Sequence, residues 1–226
     1  MKNLSRRKFE SSMVTADVVL FTIEGQKLAV LLIKRKGKPF QGMWALPGGF
    51  IRMGEELGHA AIRELKEETG VGSVYLEQLY TFGGVKRDPR GRIVTIAYLA
   101  LAPRHIMRLN ASYDAVDVDI FPIDNLPPLA FDHKKIIEYA LIRLRNKIQY
   151  TNVAWSLLPS VFSLGEIQKV YELIWGKHLD KRNFRKKIIS LGILKKVSAV
   201  RSGLRQRPAQ LFAFKTKKYT ELRRFF

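Results

Sequence analysis

The chain has 226 residues, of which 46% are hydrophobic and three are Trp, a composition that excludes a disordered chain and allows one large domain or two small ones. It carries 40 Lys plus Arg against 20 Asp plus Glu, a formal net charge of +20, and no Cys, which excludes disulfides and a thiolate zinc site. The charged start MKNLSRRKFESSM has no apolar core of signal-peptide length, and the longest apolar runs, such as Leu28 to Ile33, are too short to span a bilayer. A soluble, cytoplasmic protein with no membrane partner is expected.

Residues Ala16 to Phe21 and Leu28 to Lys34 are β-branched and apolar, and the Glu24-Gly25-Gln26 between them predicts a hairpin. Gly37-Lys38-Pro39 and Pro47-Gly48-Gly49 read as loop punctuation. A helix is expected from Glu55 to Thr69, with Gly70 at the left-handed position that ends it. Strands follow at Val74 to Phe82 and Ile93 to Ala102, around the turn Asp88-Pro89-Arg90-Gly91, and another at Val116 to Pro122. Asp132 is placed to cap a helix running through Leu144, with Ile136, Ile137, Ala140, Leu141 and Leu144 on its buried side. The stretch from Arg143 to Ala154 is polar and lacks a clear period, so a domain boundary is set near Tyr150, dividing the chain into 1–150 and 151–226.

The helix at 55–69 is acidic in a basic chain. Helical spacing of about 100° per residue puts Glu64, Glu67 and Glu68 on one face, and Leu57, Ala61, Ile62 and Leu65 on another suited to a sheet. Arg63 lies one turn before Glu67 and pairs with it. Carboxylates this close repel unless a cation sits among them. A donor set of oxygens alone suits Mg²⁺ or Mn²⁺ rather than zinc, and the Gly48-Gly49 turn adds a carbonyl. Three glutamates alone favour an ordinary solvated face. The spacing decides between these. Gly49, five residues, Glu55, seven residues, then Arg63-Glu64-Leu65-Lys66-Glu67-Glu68-Thr69-Gly70-Val71 resembles the complete Nudix box, with every fixed position filled.

That resemblance implies a Nudix fold, α/β with a mixed β-sheet between helices, and a metal site for diphosphate-linked nucleotides. It implies Glu64, Glu67 and Glu68 as metal ligands, with Gly49 supplying a backbone ligand. Glu67 or Glu68 orients or deprotonates the attacking water, Arg63 holds that carboxylate, and Glu55 supports the helix start or a further metal. Metal bridging a diphosphate to such glutamates offsets the charge that develops on the leaving oxygen and lowers the pKa of bound water. Downstream, Tyr80 to Arg92 and the strand after it resemble Nudix proteins that handle ADP-ribose. Arg87, Arg90 and Arg92 are candidate phosphate or ribose contacts, and Phe82 a candidate for stacking on adenine. The plain alternative is a hairpin turn with its arginines in solvent.

The charge is unevenly placed: from Val153 onward there are 17 Lys plus Arg against 4 Asp plus Glu, which points to a polyanion partner for this part. Ser163 starts a helix from Leu164 to Trp175 that Gly176 stops. Asp180 caps a second, Lys181 to Leu191, whose stripe Phe184, Ile188 and Leu191 leaves Arg182, Arg185 and Lys186 on another side. Ile193 to Val197 and Gln210 to Phe214 read as strands joined by a tip carrying Arg201, Arg205 and Arg207. Helix, turn, basic helix and basic-tipped hairpin are the layout of a C-terminal winged helix-turn-helix. Lys181, Arg182, Arg185 and Lys186 are its candidate groove contacts, and the tip arginines its candidate phosphate or minor-groove contacts.

A Nudix domain followed by this unit resembles the Nudix-related transcriptional regulators of NAD metabolism, the NrtR type. The likeness is carried by Leu158 to Leu164 and Leu179 to Lys187. It implies a repressor that senses ADP-ribose and binds double-stranded operator DNA as a homodimer. Because the box is intact, hydrolysis of ADP-ribose to AMP and ribose 5-phosphate is compatible with that role. Two other readings stand beside it: an ADP-ribose diphosphatase with no regulatory role, and a sensor of another metabolite such as a sugar.

Overall fold

The structure, a computed structural model, describes residues 11–72, 74–107, 109, 115–198 and 210–222. Strand β1 (Met13–Glu24) folds back through Gly25, at φ +58°, into the antiparallel β2 (Lys27–Arg35), with Glu24 opposite Lys27. Glycine takes that left-handed conformation without the steric penalty of a Cβ. Two short strands follow, β3 (Trp44–Ala45) against β2 and β4 (Gly48–Phe50) against β1. The Gly48-Gly49 pair expected as loop is thus paired backbone. A Cβ on Gly48 would clash with the Ala16 carbonyl, so only glycine lets β4 approach β1 this closely.

Helix α1 (Leu57–Thr69) ends at Gly70 with φ +73°, as expected, but begins two residues later than Glu55. Its buried strip is Ala60, Ala61, Leu65, Glu68 and Thr69. Leu57 and Ile62, expected on the sheet-facing side, are exposed. Leu57 lies in the first turn, and Ile62 sits about 100° around the helix from Ala61. Two adjacent alanines form the contact instead.

Strands β5 (Tyr75–Phe82), β6 (Ile93–Leu101) and β7 (Ala115–Pro122) complete the sheet. Its order is β3-β2-β1-β6-β5, with β7 on β2, and the parallel β1–β6 pairing makes it mixed. Alternation along β1 serves both faces. Val18 and Leu20 pack with Ala61 and Leu65 of α1, whereas Val19 and Phe21 join the core on the other side.

That second core is closed by helix α2 (His133–Lys147), which runs a turn beyond the expected end at Leu144. The polar reading of residues 143–154 missed this because Lys147 is buried by an ion pair, Nζ to Glu77 Oε2 at 2.6 Å, rather than by apolarity. Ile148 and the 3-10 turn Val153–Leu157 then continue the core where a polar stretch was expected.

Strand β8 (Phe162–Ser163), which the sequence did not signal, leads into α3 (Leu164–Trp175). Ser163 and Glu166 form a reciprocal capping box at its start, and Gly176 at φ +67° ends it. Asp180 caps α4 (Lys181–Ser190) by accepting the Asn183 N–H at 2.8 Å. The hairpin β9 (Leu194–Val197) and β10 (Leu211–Phe214) pairs Leu211 with Val197, and β10 also pairs with β8. One hydrophobic cluster runs from Val19 and Phe21 through Ile136 and Leu144 to Ile174, Phe184 and Phe212, so sheet and C-terminal unit share a core.

Candidate functional site

A cavity of about 300 Å³ opens between β1, the β4 segment, the start of α2 and the loop after β5. Its lining alternates cations and carboxylates: Arg35, Lys36, Arg87 and Arg90 with Asp17, Glu64, Glu68 and Asp88. Phe50 and Phe131 supply aromatic faces. The Arg90 guanidinium lies 5.2 Å from the Phe50 ring centre and 5.4 Å from that of Phe131, and Arg35 lies 4.8 Å from Phe131. Phe131 holds φ +52°, a conformation unusual for a residue with a Cβ and typical of functional sites.

The expected substrate residues divide. Arg87 is not a solvent arginine of a turn: its side chain is 4% exposed, with Nη2 2.8 Å from Asp132 Oδ1 and 3.5 Å from Asp17 Oδ2. Arg90 pairs with Asp88, Nη2 to Oδ2 at 2.7 Å. Burial raises the Asp88 pKa, but the hydrogen bonds from Arg90 outweigh it and hold the carboxyl below its ordinary value. Both arginines line the cavity; Arg92 does not, and donates to the Gly83 carbonyl at 2.6 Å. Phe82 is also elsewhere. Its ring is buried in the main core against Tyr80 and Tyr139, so it presents no face for an adenine to stack on.

The box glutamates also divide. Glu68, buried, accepts the Gly48 N–H at 2.7 Å, and Glu64 stands against Gly49, where a Cβ would lie 2.5 Å from its Oε1. Burial pushes the Glu64 carboxyl above its ordinary pKa, against the opposing pull of Arg63. Glu67 is more exposed and lies outside the cavity lining, paired with Arg63 at 3.2 Å and Arg52 at 3.3 Å. Among the described residues no three carboxylate, His or Cys side chains converge as a metal-binding group. Arg63 reaches Glu67 as expected, but it also pairs with Glu64, Nη1 to Oε1 at 2.5 Å, and forks onto Glu55, Nε to Oε1 at 2.6 Å and Nη2 to Oε2 at 2.8 Å. Arg63, with help from the Arg52 backbone N–H, holds the Glu55 carboxyl down at about 2. Glu55 therefore braces the entry to α1 and lies outside the cavity lining.

Asp17, Phe131 and His133 are among the cavity residues that escaped the sequence reading, with Arg35, Lys36 and Phe50. Asp17 interrupts the apolar run of β1, a signal that was legible. Phe131 and His133 flank the residue expected to cap α2 and had no pattern of their own. Nδ1 of His133 accepts the Leu46 N–H at 2.9 Å, its Nε2 faces Asp17 at 3.8 Å, and burial lowers its pKa, so the ring is neutral.

On the C-terminal unit, Phe184 and Ile188 bury one side of α4, while Lys181, Arg182, Lys186 and Lys187 are exposed. Arg185 is half-buried, and its Nε has no hydrogen-bond partner among the described residues. Lys195 and Lys196 on β9 are also exposed. Arg201, Arg205 and Arg207 lie outside the described residues.

This pairing of an acidic-helix cavity with a basic helix-turn-helix is what comparison with known proteins finds. Residues 12–140 match the NUDIX domain and residues 154–214 the NrtR DNA-binding winged helix domain. The chain belongs to the Nudix family. It is 37% identical to an ADPR responsive transcriptional repressor of Acinetobacter baylyi, over 93% of this chain and 85% of that one. Its fold is similar to Shewanella oneidensis NrtR complexed with a 27mer DNA, at TM-score 0.80 and 38% identity, covering 89% and 93% of the two chains. The Nudix part is similar to the NUDIX domain of the same NrtR complexed with ADP ribose, at TM-score 0.57 and 41% identity, covering 63% and 94%.

Proposed function

We propose that this chain is a transcriptional repressor of the NrtR type whose Nudix domain binds ADP-ribose and whose winged helix, residues 151–226, binds operator DNA. The observation that carries the reading is the joining of the two sites in one chain and one core. A cavity with buried arginines and aromatic faces suits a nucleoside diphosphate, and a helix exposing Lys181, Arg182 and Lys186 suits a DNA groove. The repressor of Acinetobacter baylyi and the two Shewanella oneidensis complexes support both halves. Arg87 and Arg90 meet the diphosphate, and Phe50 or Phe131 takes the place of Phe82 beside the base. Two copies of the chain are needed for two half-sites, so the repressor acts as a homodimer.

Nudix enzymes generally use a divalent metal ion, and the residues here fit one. The donors are oxygens only, Glu68 is buried against the Gly48 N–H, and the Glu64 carboxylate packs directly against Gly49, where any Cβ would meet it. Glu64, Glu68 and the Gly49 carbonyl would hold Mg²⁺ or Mn²⁺, with Glu67 joining from its exposed pairing. When bound, the ion supplies charge stabilisation at the diphosphate and a more acidic water. The protein residues position the ligand: Arg87 and Arg90 fix its phosphates, and Arg63 keeps Glu67 at the rim. With the box intact, hydrolysis of ADP-ribose to AMP and ribose 5-phosphate is compatible with sensing.

The test is selection of duplexes from a random-sequence pool on the immobilised protein, followed by addition of ADP-ribose. Enrichment of a palindromic sequence and its release by ADP-ribose are expected. Absence of any enriched sequence, or retention of the enriched duplex at saturating ADP-ribose, overturns the reading.

A further inference from the structure

The residue that opens helix α2 is engaged elsewhere. Asp132 occupies the N-cap position, yet its side chain makes no cap hydrogen bond. Its two oxygens instead accept from Arg87, Oδ1 from Nη2 at 2.8 Å and Oδ2 from Nε at 3.2 Å. The first backbone N–H groups of a helix need partners, and an aspartate at this position is their usual one. Arg87, the competitor, is buried and forms part of the wall of the Nudix cavity. Asp132 takes the Nε–Nη2 edge of the Arg87 guanidinium in bidentate fashion, and Asp17 Oδ2 lies 3.5 Å from the same Nη2. An anion that seats on this Nε–Nη2 edge displaces the carboxylate of Asp132.

The far end of α2 is joined to the helix-turn-helix. Arg145 Nε donates to the Ile174 carbonyl at 2.9 Å, and Trp175 Nε1 donates to the Arg145 carbonyl at 3.0 Å. Both acceptor and donor on α3 lie in its last turn, directly before the turn into α4. A single helix thus begins at the ligand cavity and ends on the element that sets the DNA-reading helix.

We propose that Asp132 is a positioning residue that exchanges partners. Without ligand it holds Arg87. When a nucleoside diphosphate takes Arg87, the freed carboxylate caps the Lys134 and Lys135 N–H groups, and the resettled α2 carries that change to α3. The inference rests on the proposed function, because it takes the cavity ligand to be a diphosphate and the C-terminal unit to bind DNA. It adds the route between them.

Asparagine and alanine at this position separate the exchange from a merely structural role. Asn retains an oxygen that caps a helix but cannot form the ion pair with Arg87, so Asp132→Asn is expected to reside in the capped arrangement without ligand. Its affinity for the selected duplex falls about 5- to 150-fold, the usual range of such couplings, and added ligand changes it little. Ala can do neither, so Asp132→Ala keeps ligand binding but loses most of the ligand effect on DNA. The readouts are fluorescence anisotropy on the selected duplex and backbone hydrogen exchange, each with and without the non-hydrolysable α,β-methylene analogue of ADP-ribose. In the wild-type protein the analogue is expected to slow exchange at Lys134 and Lys135, and in Asp132→Ala it does not.

If wild-type DNA binding ignores the analogue, the proposed function fails and the exchange fails with it. A wild-type response that persists unchanged in both variants overturns the exchange alone. So do Asn and Ala variants that behave identically, or unaltered exchange at the two amides in ligand-saturated wild type.

Discussion

Individual residues here are defined by what already holds them. Glu67 and Glu68 belong to one box but occupy different surroundings, one paired with Arg52 and Arg63 and one buried against the Gly48 N–H. Replacing both with Gln keeps shape and removes the charge that a divalent ion and an activated water require. Hydrolysis of ADP-ribose, followed by release of AMP, is expected to fall at least ~100-fold. Wild-type turnover in the double variant would remove these residues from the reaction. His133 gives a different prediction, in pH. Burial holds its pKa below the ordinary histidine value in the folded state. The unfolded chain then binds the proton more readily, so the stability tied to the neutral ring is complete above the unfolded pKa of ~6.5 and is lost as pH falls toward the folded value. Thermal midpoints are expected to drop between about pH 7 and pH 5. His133→Asn, which offers an oxygen to the Leu46 N–H but does not titrate, is expected to flatten that drop. Equal slopes in the two proteins would show that other groups control acid sensitivity.

At the scale of elements, legibility in the sequence followed the kind of signal each element used. Most ends marked by dedicated chemistry were readable, although Asp132, expected to cap α2, turns its carboxylate to Arg87 instead. Gly70 and Gly176 close their helices in the left-handed conformation, and Ser163 and Asp180 cap theirs. Elements made by tertiary contact were not: β8 has two residues and exists because β10 pairs with it, and the last turn of α2 is buried through the Lys147–Glu77 pair. The site shows the same division. The box spacing pointed to Glu64 and Glu68 beside the Gly48-Gly49 segment, because a fixed helix and a paired strand bring them there. Phe82 misled, since an aromatic residue at a strand end has no periodic signature for cavity or core, and the sheet turned it inward. The proposed DNA-reading helix, α4, can be tested as an element. Changing Lys181, Arg182 and Lys186 to Ala leaves Phe184 and Ile188 packed, so α4 stays in place. If all three meet phosphates, affinity falls and the slope of log K against log salt becomes shallower by about 3, near 0.9 per lost contact. An unchanged slope would mean that this face of α4 does not lie on DNA.

As a whole molecule, the chain is held as one body rather than as two beads on a linker. The hydrophobic cluster that begins at Val19 reaches Phe212 without a break, and the segment after β10 returns to the middle of the chain. There Asn152 donates its backbone N–H to the Thr220 carbonyl at 3.1 Å and its side-chain amide to the Lys218 carbonyl at 2.8 Å, and the Leu222 N–H reaches the Tyr150 carbonyl at 2.7 Å. These bonds fall near the expected boundary at Tyr150, so the place where a hinge would be looked for is stapled by backbone. A shared core couples the melting of its parts. Calorimetry is therefore expected to show one unfolding transition, with calorimetric and van't Hoff enthalpies in a ratio of about 1. Phe212→Ala opens a cavity on the winged-helix side of the cluster and is expected to cost about 3–5 kcal/mol. Because the core is common, near- and far-ultraviolet signals from the sheet and from α3 and α4 shift to the lower midpoint together. Two resolved transitions, with only the lower one moved by Phe212→Ala, would show that the seam opens before either unit melts. A seam that opened so easily would also be a poor conductor for a signal that must cross it along α2.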